Sequence, residues 1–304
     1  MIRRLVSRLP GTRKRKDGDR PAAARQMRHR LFLPGSLRNG RPAPLLVALH
    51  GCFQSADDFA TGTRFDEIGE EYGAIVVYPE QQKRANASGC WNWFETKHQT
   101  RHSGEPAKIL RLVEHLARSY PVDRERIYVA GISAGASMAA ILGEQAPDVF
   151  SGVGIMAGVA LHASKNFLDA LAAMAGKRPE EDPRDPPRGR NGASHPPAAA
   201  YARMRVAVWT GTNDPTVAPS NSTTLAQQFV RLLGLDETQT TSETSEDRRV
   251  EVRVWRDANG LERVALITVA GMYHAWSGGS TQGSYTYPPG PDASTAMFEF
   301  FSGA

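Results

Sequence analysis

The pentapeptide Gly131-Ile132-Ser133-Ala134-Gly135 places a serine between two glycines. It directly follows an apolar run typical of a buried strand, and it opens an alanine-rich segment typical of a helix. A Gly-x-Ser-x-Gly sequence at such a turn lifts the serine hydroxyl clear of the sheet, and the glycines permit the tight turn. We therefore predict that Ser133 is a nucleophile. The alternative is an ordinary strand–helix turn with a buried serine.

A serine hydroxyl is a poor nucleophile unless a base accepts its proton. In chains with this turn, an acid and then a histidine follow the serine. Three histidines lie beyond Ser133, and His274 is the one that comes just after the last predicted strand. His195 lies in a proline-rich stretch, and His162 immediately follows the next strand region. We predict that His274 is the general base; the alternative is a buried polar residue without a catalytic role.

The third member of such a site is a carboxylate that orients the histidine. Asp214 follows a predicted strand and lies in a turn that ends at Pro215. Asp236 and Glu237 lack a preceding strand. We predict that Asp214 fixes the tautomer of His274, although aspartate before proline is also a common turn former.

Two backbone N–H groups are needed to stabilise the oxyanion that forms during acyl transfer. One is predicted to be that of Ala134, directly after the nucleophile. The other is predicted to be that of Cys52, in the loop after the strand that ends at Leu49, where Gly51 allows close approach of the backbone. We expect His50 to support this loop rather than to act in catalysis.

The elements that must position these residues alternate between strands and helices. Continuous apolar runs predict strands buried on both faces, and runs at three- and four-residue steps predict helices between them. The alternation predicts an α/β fold with a mostly parallel central sheet and helices on both faces. Strands are predicted at 30–34, 45–49, 74–78, 126–130, 152–156, 205–209 and 264–269, and helices at about 109–117, 133–143, 225–233 and 296–301.

Two polar stretches, at about 178–197 and 236–248, interrupt this pattern and are predicted to be mobile loops inserted into one catalytic domain, 29–304.

The net charge of +5 is unevenly distributed. Residues 1–30 hold eleven Lys or Arg and two Asp, whereas the remainder holds 26 basic and 30 acidic residues. We predict that residues 1–28 form a disordered basic tail, with weak contact to an acidic surface as the alternative. Because the basic charge is confined to this tail, nucleic-acid binding is not expected. The chain also lacks an apolar run of about 18 residues, so integral membrane association is not expected.

Six segments together are informative: 50–54 (HGCFQ), 89–94 (GCWNWF), 131–135 (GISAG), 211–217 (GTNDPTV), 274–279 (HAWSGG) and 290–293 (GPDA). Their order resembles the esterases of the polyhydroxybutyrate depolymerase family, and the resemblance runs from about residue 30 to the end. It implies an α/β-hydrolase fold and hydrolysis of carboxylic esters without a metal or an organic cofactor. Short hydroxyalkanoate esters, oligomers or polymer are the substrates it suggests, and feruloyl or acetyl-xylan esters are the alternative. A catalytically inactive binding protein of the same fold is a remote third possibility.

The resemblance also implies that Cys52 and Cys90 lie together near the site. A disulfide between them would persist in an oxidising compartment, and both paired and reduced forms remain open. Trp91, Trp93 and Trp276 are candidates to line an acyl or aryl pocket, although aromatic residues are more often part of a core. The resemblance suggests an extracellular protein, whereas the N-terminal sequence does not read as a secretory signal, which leaves the cytoplasm open. The oligomeric state is not indicated.

Overall fold

Within residues 27–177 and 196–303, the ranges that the computed structural model describes, the chain forms a nine-stranded sheet flanked by helices. The strands of this sheet are β1 (His29–Phe32), β2 (Ala43–Leu49), β3 (Ile75–Pro79), β4 (Val122–Ile132), β5 (Gly152–Met156), β6 (Arg205–Gly211), β7 (Thr240–Thr244), β8 (Val250–Arg256) and β9 (Glu262–Val269). A separate pair consists of β10 (Trp276–Ser277) and β11 (Thr286–Tyr287). The helices are α1 (Ala56–Thr63), α2 (Phe65–Tyr72), α3 (Gly104–Ser119), α4 (Ala134–Gln145), α5 (Phe167–Met174), α6 (Ser220–Leu232) and α7 (Ala293–Ser302).

The strands lie in the order β1-β3-β2-β4-β5-β6-β9-β8-β7. From β3 to β9 the neighbouring strands are parallel, whereas β1, β8 and β7 run antiparallel to their neighbours. Parallel strands bring their carboxyl ends to one edge of the sheet, where α/β proteins bind ligands. The loops after β2, β4, β6 and β9 therefore leave the sheet at the same edge. The predicted fold, α/β with a mostly parallel sheet, is confirmed.

Strand β2 shows why helices must cover both faces of the sheet. Leu45, Val47 and Leu49 belong to the core on one side, and Leu46 and Ala48 belong to the core on the other. All five are at most 1% exposed. Helices α3, α4 and α6 contribute to the first core, and α1, α2 and α7 contribute to the second. A strand buried on both sides needs a continuous apolar run, which is the pattern found at 45–49.

Helix α3 confirms the predicted helix at 109–117 and extends beyond it on both sides. Its buried side chains Ile109, Leu112, Val113 and Leu116 recur at three- and four-residue steps, so that they form one apolar face. Helix α4 begins at Ala134, one residue after its predicted start, because Ser133 has non-helical dihedral angles.

The prediction of a loop at 236–248 was wrong. This segment contains β7, which pairs with β8 in an antiparallel hairpin at the edge of the sheet. Every residue of β7 is exposed, so it lacks the apolar run on which each strand prediction was based. Strand β8 was missed although its sequence, VEVRVWR, alternates apolar and polar residues. Helices α1, α2 and α5 were also missed, because eight residues give a weak periodic pattern.

The predictions of a basic tail at 1–28 and a mobile loop at 178–197 lie outside the described residues, apart from 27–28 and 196–197. In the described part of the chain, no helix is long and apolar enough to cross a bilayer. The same ranges contain no group of three or more His, Cys, Asp or Glu side chains that could hold a metal ion.

Candidate active site

Ser133 occupies the single residue between the end of β4 and the start of α4. Its φ of 57° and ψ of −121° lie in a region that L-residues rarely adopt. The amide of Ser133 donates to the carbonyl oxygen of Met156, at the end of β5, at 2.9 Å. This bond fixes the strained turn to the neighbouring strand. The side chain is half-buried.

The glycines on either side of Ser133 are required by the close approach of the backbone. A Cβ atom on Gly135 would lie 2.2 Å from the carbonyl oxygen of Leu49, and one on Gly131 would lie 2.6 Å from the backbone of Gly135. Real Cβ atoms essentially never come within 3.0 Å of another atom in this way. The start of α4 therefore packs directly against the end of β2, beside the loop of Gly51 and Cys52.

His274 and Asp214 form a buried pair at the same edge of the sheet. Asp214 follows β6 and His274 follows β9, and these two strands are parallel neighbours. The Nδ1 atom of His274 lies 2.7 Å from Oδ2 of Asp214. The other carboxylate oxygen, Oδ1, accepts hydrogen bonds from the amides of Thr216 and Val217 at 2.8 and 2.9 Å. A carboxylate only accepts hydrogen bonds, so the neutral tautomer of His274 that pairs with it carries its proton on Nδ1 and leaves Nε2 as an acceptor.

The loop after β2 is held by His50. Its Nδ1 donates to the carbonyl oxygen of Gly51 at 2.8 Å, and its Nε2 accepts from the amide of Gln81 at 3.1 Å. Burial lowers the pKa of His50, which favours the neutral ring that this pattern needs. His50 is thus a supporting residue of the loop, as predicted.

The peptide bond between Gly51 and Cys52 is planar and trans, so its carbonyl and its N–H point in opposite directions. By fixing the oxygen of Gly51, His50 also fixes the direction of the N–H of Cys52. Within the described residues, neither this N–H nor that of Ala134 donates a hydrogen bond. Both amides therefore remain available to an acceptor.

A disulfide between Cys52 and Cys90 joins this loop to the segment that follows β3. The carbonyl oxygen of Cys90 accepts from Nε2 of Gln81 at 3.2 Å. Gln81 also donates to the buried carboxylate of Glu105, which accepts from the amide of Asn92 at 2.8 Å. The loop is thus supported from behind by a network of buried polar groups.

All three tryptophans predicted as candidates for a substrate pocket are buried in the two cores. Trp91 is 0% exposed, and its ring N–H donates to the carbonyl oxygen of His50 at 3.0 Å. Trp276 is 1% exposed and packs edge-on against the rings of Phe59 and Phe65. Trp93 is buried too, at 7% exposed. Large indole rings are stabilised more by burial on all sides than by one open face, which explains why these three lie in the core.

The aromatic side chains that do border open space near His274 are Tyr273 and Tyr285, which are 48% and 42% exposed. The ring of Tyr285 lies edge-on to the imidazole of His274, with 6.5 Å between centroids. These residues line a cavity of about 490 Å³, together with Pro215, His274, Thr281, Gly283, Thr286 and Pro288. Sequence reasoning missed both tyrosines, and their only signal was proximity in sequence to His274 and to the glycine-rich segment after it.

The sheet order and the strand–turn–helix geometry at Ser133 define an α/β-hydrolase fold. Among solved structures, the acetyl xylan esterase from Aspergillus awamori has a TM-score of 0.70 to this chain at 19% identity, covering 90% of this chain and 93% of that one. Residues 27–254 match the family model described as "Esterase PHB depolymerase", and the chain belongs to this family.

Two relatives carry depolymerase names. The poly(3-hydroxyalkanoate) depolymerase C of Paucimonas lemoignei is 34% identical over 79% of this chain and 59% of its own length. The poly(3-hydroxybutyrate) depolymerase of Ralstonia pickettii is 30% identical over 80% of this chain and 49% of its own. The chain thus spans about half to three-fifths of these curated relatives. Proteins named feruloyl esterase and acetylxylan esterase are also among its relatives.

Proposed function

We propose that this chain is a serine carboxylic-ester hydrolase in which Ser133, His274 and Asp214 form a catalytic triad. The observation that carries the proposal is the 2.7 Å contact between His274 Nδ1 and Asp214 Oδ2. This pair lies at the edge of the sheet where Ser133 sits on its strained turn. Membership of an esterase family supports the same reaction class.

In this mechanism, Nε2 of His274 accepts the hydroxyl proton of Ser133 while Oγ attacks the carbonyl carbon of the ester. The negative charge that develops on the carbonyl oxygen is stabilised by the N–H groups of Cys52 and Ala134. His274 then gives its proton to the departing alcohol, which leaves an acyl group on Ser133. A water molecule, deprotonated by the same histidine, attacks the carbonyl carbon of this acyl-enzyme. His274 then returns the proton to Oγ of Ser133 as the bond to Oγ breaks and the acid is released.

We propose short hydroxyalkanoate esters, as small molecules, oligomers or polymer, as the substrates. The names of the two depolymerases support this choice. None of the described residues that line the cavity beside His274 is Asp, Glu, Lys or Arg, which suits an uncharged ester better than an ionic one. The alternative is a feruloyl or acetyl-xylan ester, which the relatives with these names support.

The test is hydrolysis of p-nitrophenyl esters of increasing acyl length by the wild type and by Ser133→Ala. We expect turnover of the short esters, and we expect its loss in the variant, because the alanine cannot form the acyl-enzyme. Hydroxybutyrate oligomers and feruloyl esters would then be compared by kcat/KM to choose between the two substrate classes.

Ser119→Ala is the matched control, since this exposed serine ends α3 near the start of β4, at the opposite edge of the sheet. It should keep wild-type rates. Equal rates in the wild type and Ser133→Ala would exclude Ser133 as the nucleophile, whereas a wild type inert toward every ester tested would favour a binding protein.

A further inference from the structure

Gln54 contacts two segments that border the proposed active site. Its Oε1 accepts a hydrogen bond from the amide of Gly51 at 2.9 Å. Its Nε2 donates to the carbonyl oxygen of Ser284 at 3.1 Å. One side-chain amide therefore joins the loop of residues 50–54, which we call the oxyanion loop, to residues 278–288, which we call the strap.

Asp58, near the start of α1, completes this junction. Its Oδ1 accepts from the amide of Ser284 at 2.9 Å, and its Oδ2 accepts from Nε2 of Gln54 at 3.1 Å and from the hydroxyl of Ser284. The carboxylate thus holds both Gln54 and Ser284 in place. A junction in which each polar group has a partner is well defined in geometry.

The two segments that Gln54 joins serve different parts of the proposed site. The oxyanion loop carries the N–H of Cys52, and His50 already holds the carbonyl oxygen of Gly51. Gln54 holds the N–H of the same glycine, so Gly51 is fixed on both sides. The strap carries Tyr285, which lies against His274 and lines the cavity beside it.

We propose that Gln54 is a positioning residue that sets the oxyanion loop through Oε1 and the substrate-facing strap through Nε2. The inference rests on the proposed esterase function for its catalytic consequences. Through Gly51, Oε1 of Gln54 positions the N–H of Cys52, which is proposed to stabilise the oxyanion, so loss of this contact should lower kcat. Through Ser284, Nε2 of Gln54 positions Tyr285, which lines the cavity, so loss of this contact should raise KM. A substrate contact made equally in the ground and transition states changes KM alone.

The roles of Oε1 and Nε2 of Gln54 can be separated by substitution. Gln54→Glu keeps an oxygen for the amide of Gly51 but replaces the donor with a second carboxylate oxygen beside Asp58. Gln54→Ala removes both ends. The strap keeps a further anchor in the bond from the amide of Ser280 to the carbonyl oxygen of Gly62, at 2.9 Å, so both variants should fold.

The first measurement is amide hydrogen exchange followed by mass spectrometry, which does not require activity. Gln54→Glu should increase exchange in residues 278–288 and leave residues 50–54 unchanged. Gln54→Ala should increase exchange in both segments. Gln239→Glu, which adds the same charge in an exposed loop, is the matched control and should match the wild type.

The second measurement is the kinetics of a short ester. For Gln54→Glu we expect KM to rise about fivefold with kcat within about twofold, since a hydrogen bond contributes about 1 kcal/mol net. For Gln54→Ala we expect kcat to fall at least about tenfold as well, less than the loss of an oxyanion donor itself, which is about 10²- to 10³-fold.

Exchange in the strap that is unchanged in both variants would show that Gln54 does not link the segments, whatever the enzyme hydrolyses. Equal changes of kcat in Gln54→Glu and Gln54→Ala would also overturn the proposal, because the two ends would then have no separate roles. Failure of the proposed function would be seen in the p-nitrophenyl ester assay, as an inert wild type or an active Ser133→Ala. In that case the exchange result alone decides whether Gln54 joins the two segments.

Discussion

Asp214 uses its two carboxylate oxygens for different purposes. Oδ2 faces Nδ1 of His274, and Oδ1 accepts hydrogen bonds from the amides of Thr216 and Val217 in the turn after β6. The turn-forming role and the proposed catalytic role of this residue are therefore compatible. The same amides that form the turn also hold the carboxylate toward the histidine.

Asp214→Asn should separate these roles. The asparagine oxygen can still accept the two amides of the turn, but its NH₂ group now faces Nδ1 and forces the proton of His274 onto Nε2. We expect kcat for ester hydrolysis to fall on the order of 10⁴-fold, as for the corresponding change in serine proteases. The melting temperature should change little.

The control is Asp236→Asn. Oδ1 of Asp236 likewise accepts a hydrogen bond from the amide two residues later, that of Thr238, but this turn is exposed. It should leave both the rate and the melting temperature unchanged. A loss of activity that only follows unfolding in Asp214→Asn would contradict a catalytic role.

Residue type and position made Ser133, His274 and Asp214 candidates from the sequence, since each follows a strand that an apolar run reveals, and the structure brings these three strand ends to one edge of the sheet. Gln54 and Tyr285 were not assigned any role in advance. The hydrogen bond between Gln54 and Ser284 spans 230 residues of sequence, and no local pattern encodes such a contact. Tyr285 is close in sequence to His274 but lies in a segment without the apolar or periodic pattern that identified the strands and helices. The three tryptophans were misleading for the opposite reason, because a distinctive residue type drew attention to side chains that are buried.

At the scale of elements, the junction of β2, β4 and α4 positions the proposed nucleophile. Helix α4 approaches β2 so closely that Gly135 has no space for a side chain, whereas a Cβ on Gly143, in the same helix, would meet a methyl group of Val153 at 2.7 Å. A side-chain methyl can shift more easily than a backbone carbonyl.

Gly135→Ala should therefore destabilise the protein more than Gly143→Ala. Overpacking costs about 1–3 kcal/mol, and we expect Gly135→Ala to lie at or above the upper end of this range. The free energy of unfolding in urea, measured for both variants, tests the difference. Equal destabilisation would show that the helix can move away from β2.

The central strands were predictable because burial on both faces demands a continuous apolar run. Strand β7 was not, because every one of its side chains is exposed and its extended form depends on pairing with β8. Pairing between backbone groups leaves no requirement on residue type at an exposed edge. The fold class thus follows from the sequence, whereas the extent of the sheet does not.

At the scale of the whole molecule, the disulfide between Cys52 and Cys90 closes a loop with a sequence separation of 38 residues. Chain entropy predicts that a loop of this size stabilises the folded state by about 4 kcal/mol. We expect dithiothreitol, and the variant Cys90→Ser without it, to lower the free energy of unfolding by up to this amount. If unfolding in urea is the same with and without the reductant, the bond contributes nothing to stability.

Stability should also depend on pH through His50. Because burial lowers its pKa in the folded protein below the ordinary 6.5, the unfolded chain binds more protons below that pH. The free energy of unfolding should therefore fall as the pH decreases below about 6.5. In His50→Asn, whose NH₂ group can still donate to the oxygen of Gly51, the fall should be smaller.

The control is His115→Asn, which replaces an exposed histidine on α3. It should keep the pH dependence of the wild type. Burial also lowers the pKa of His98, so some of the fall should persist in His50→Asn. Identical pH profiles for the wild type and His50→Asn would contradict the assignment.

The positive φ of Ser133 carries a cost in folding stability. A non-glycine residue in such a sparsely populated region costs on the order of 1–3 kcal/mol, and glycine would relieve most of this strain. Folding stability alone therefore does not account for a serine at this position.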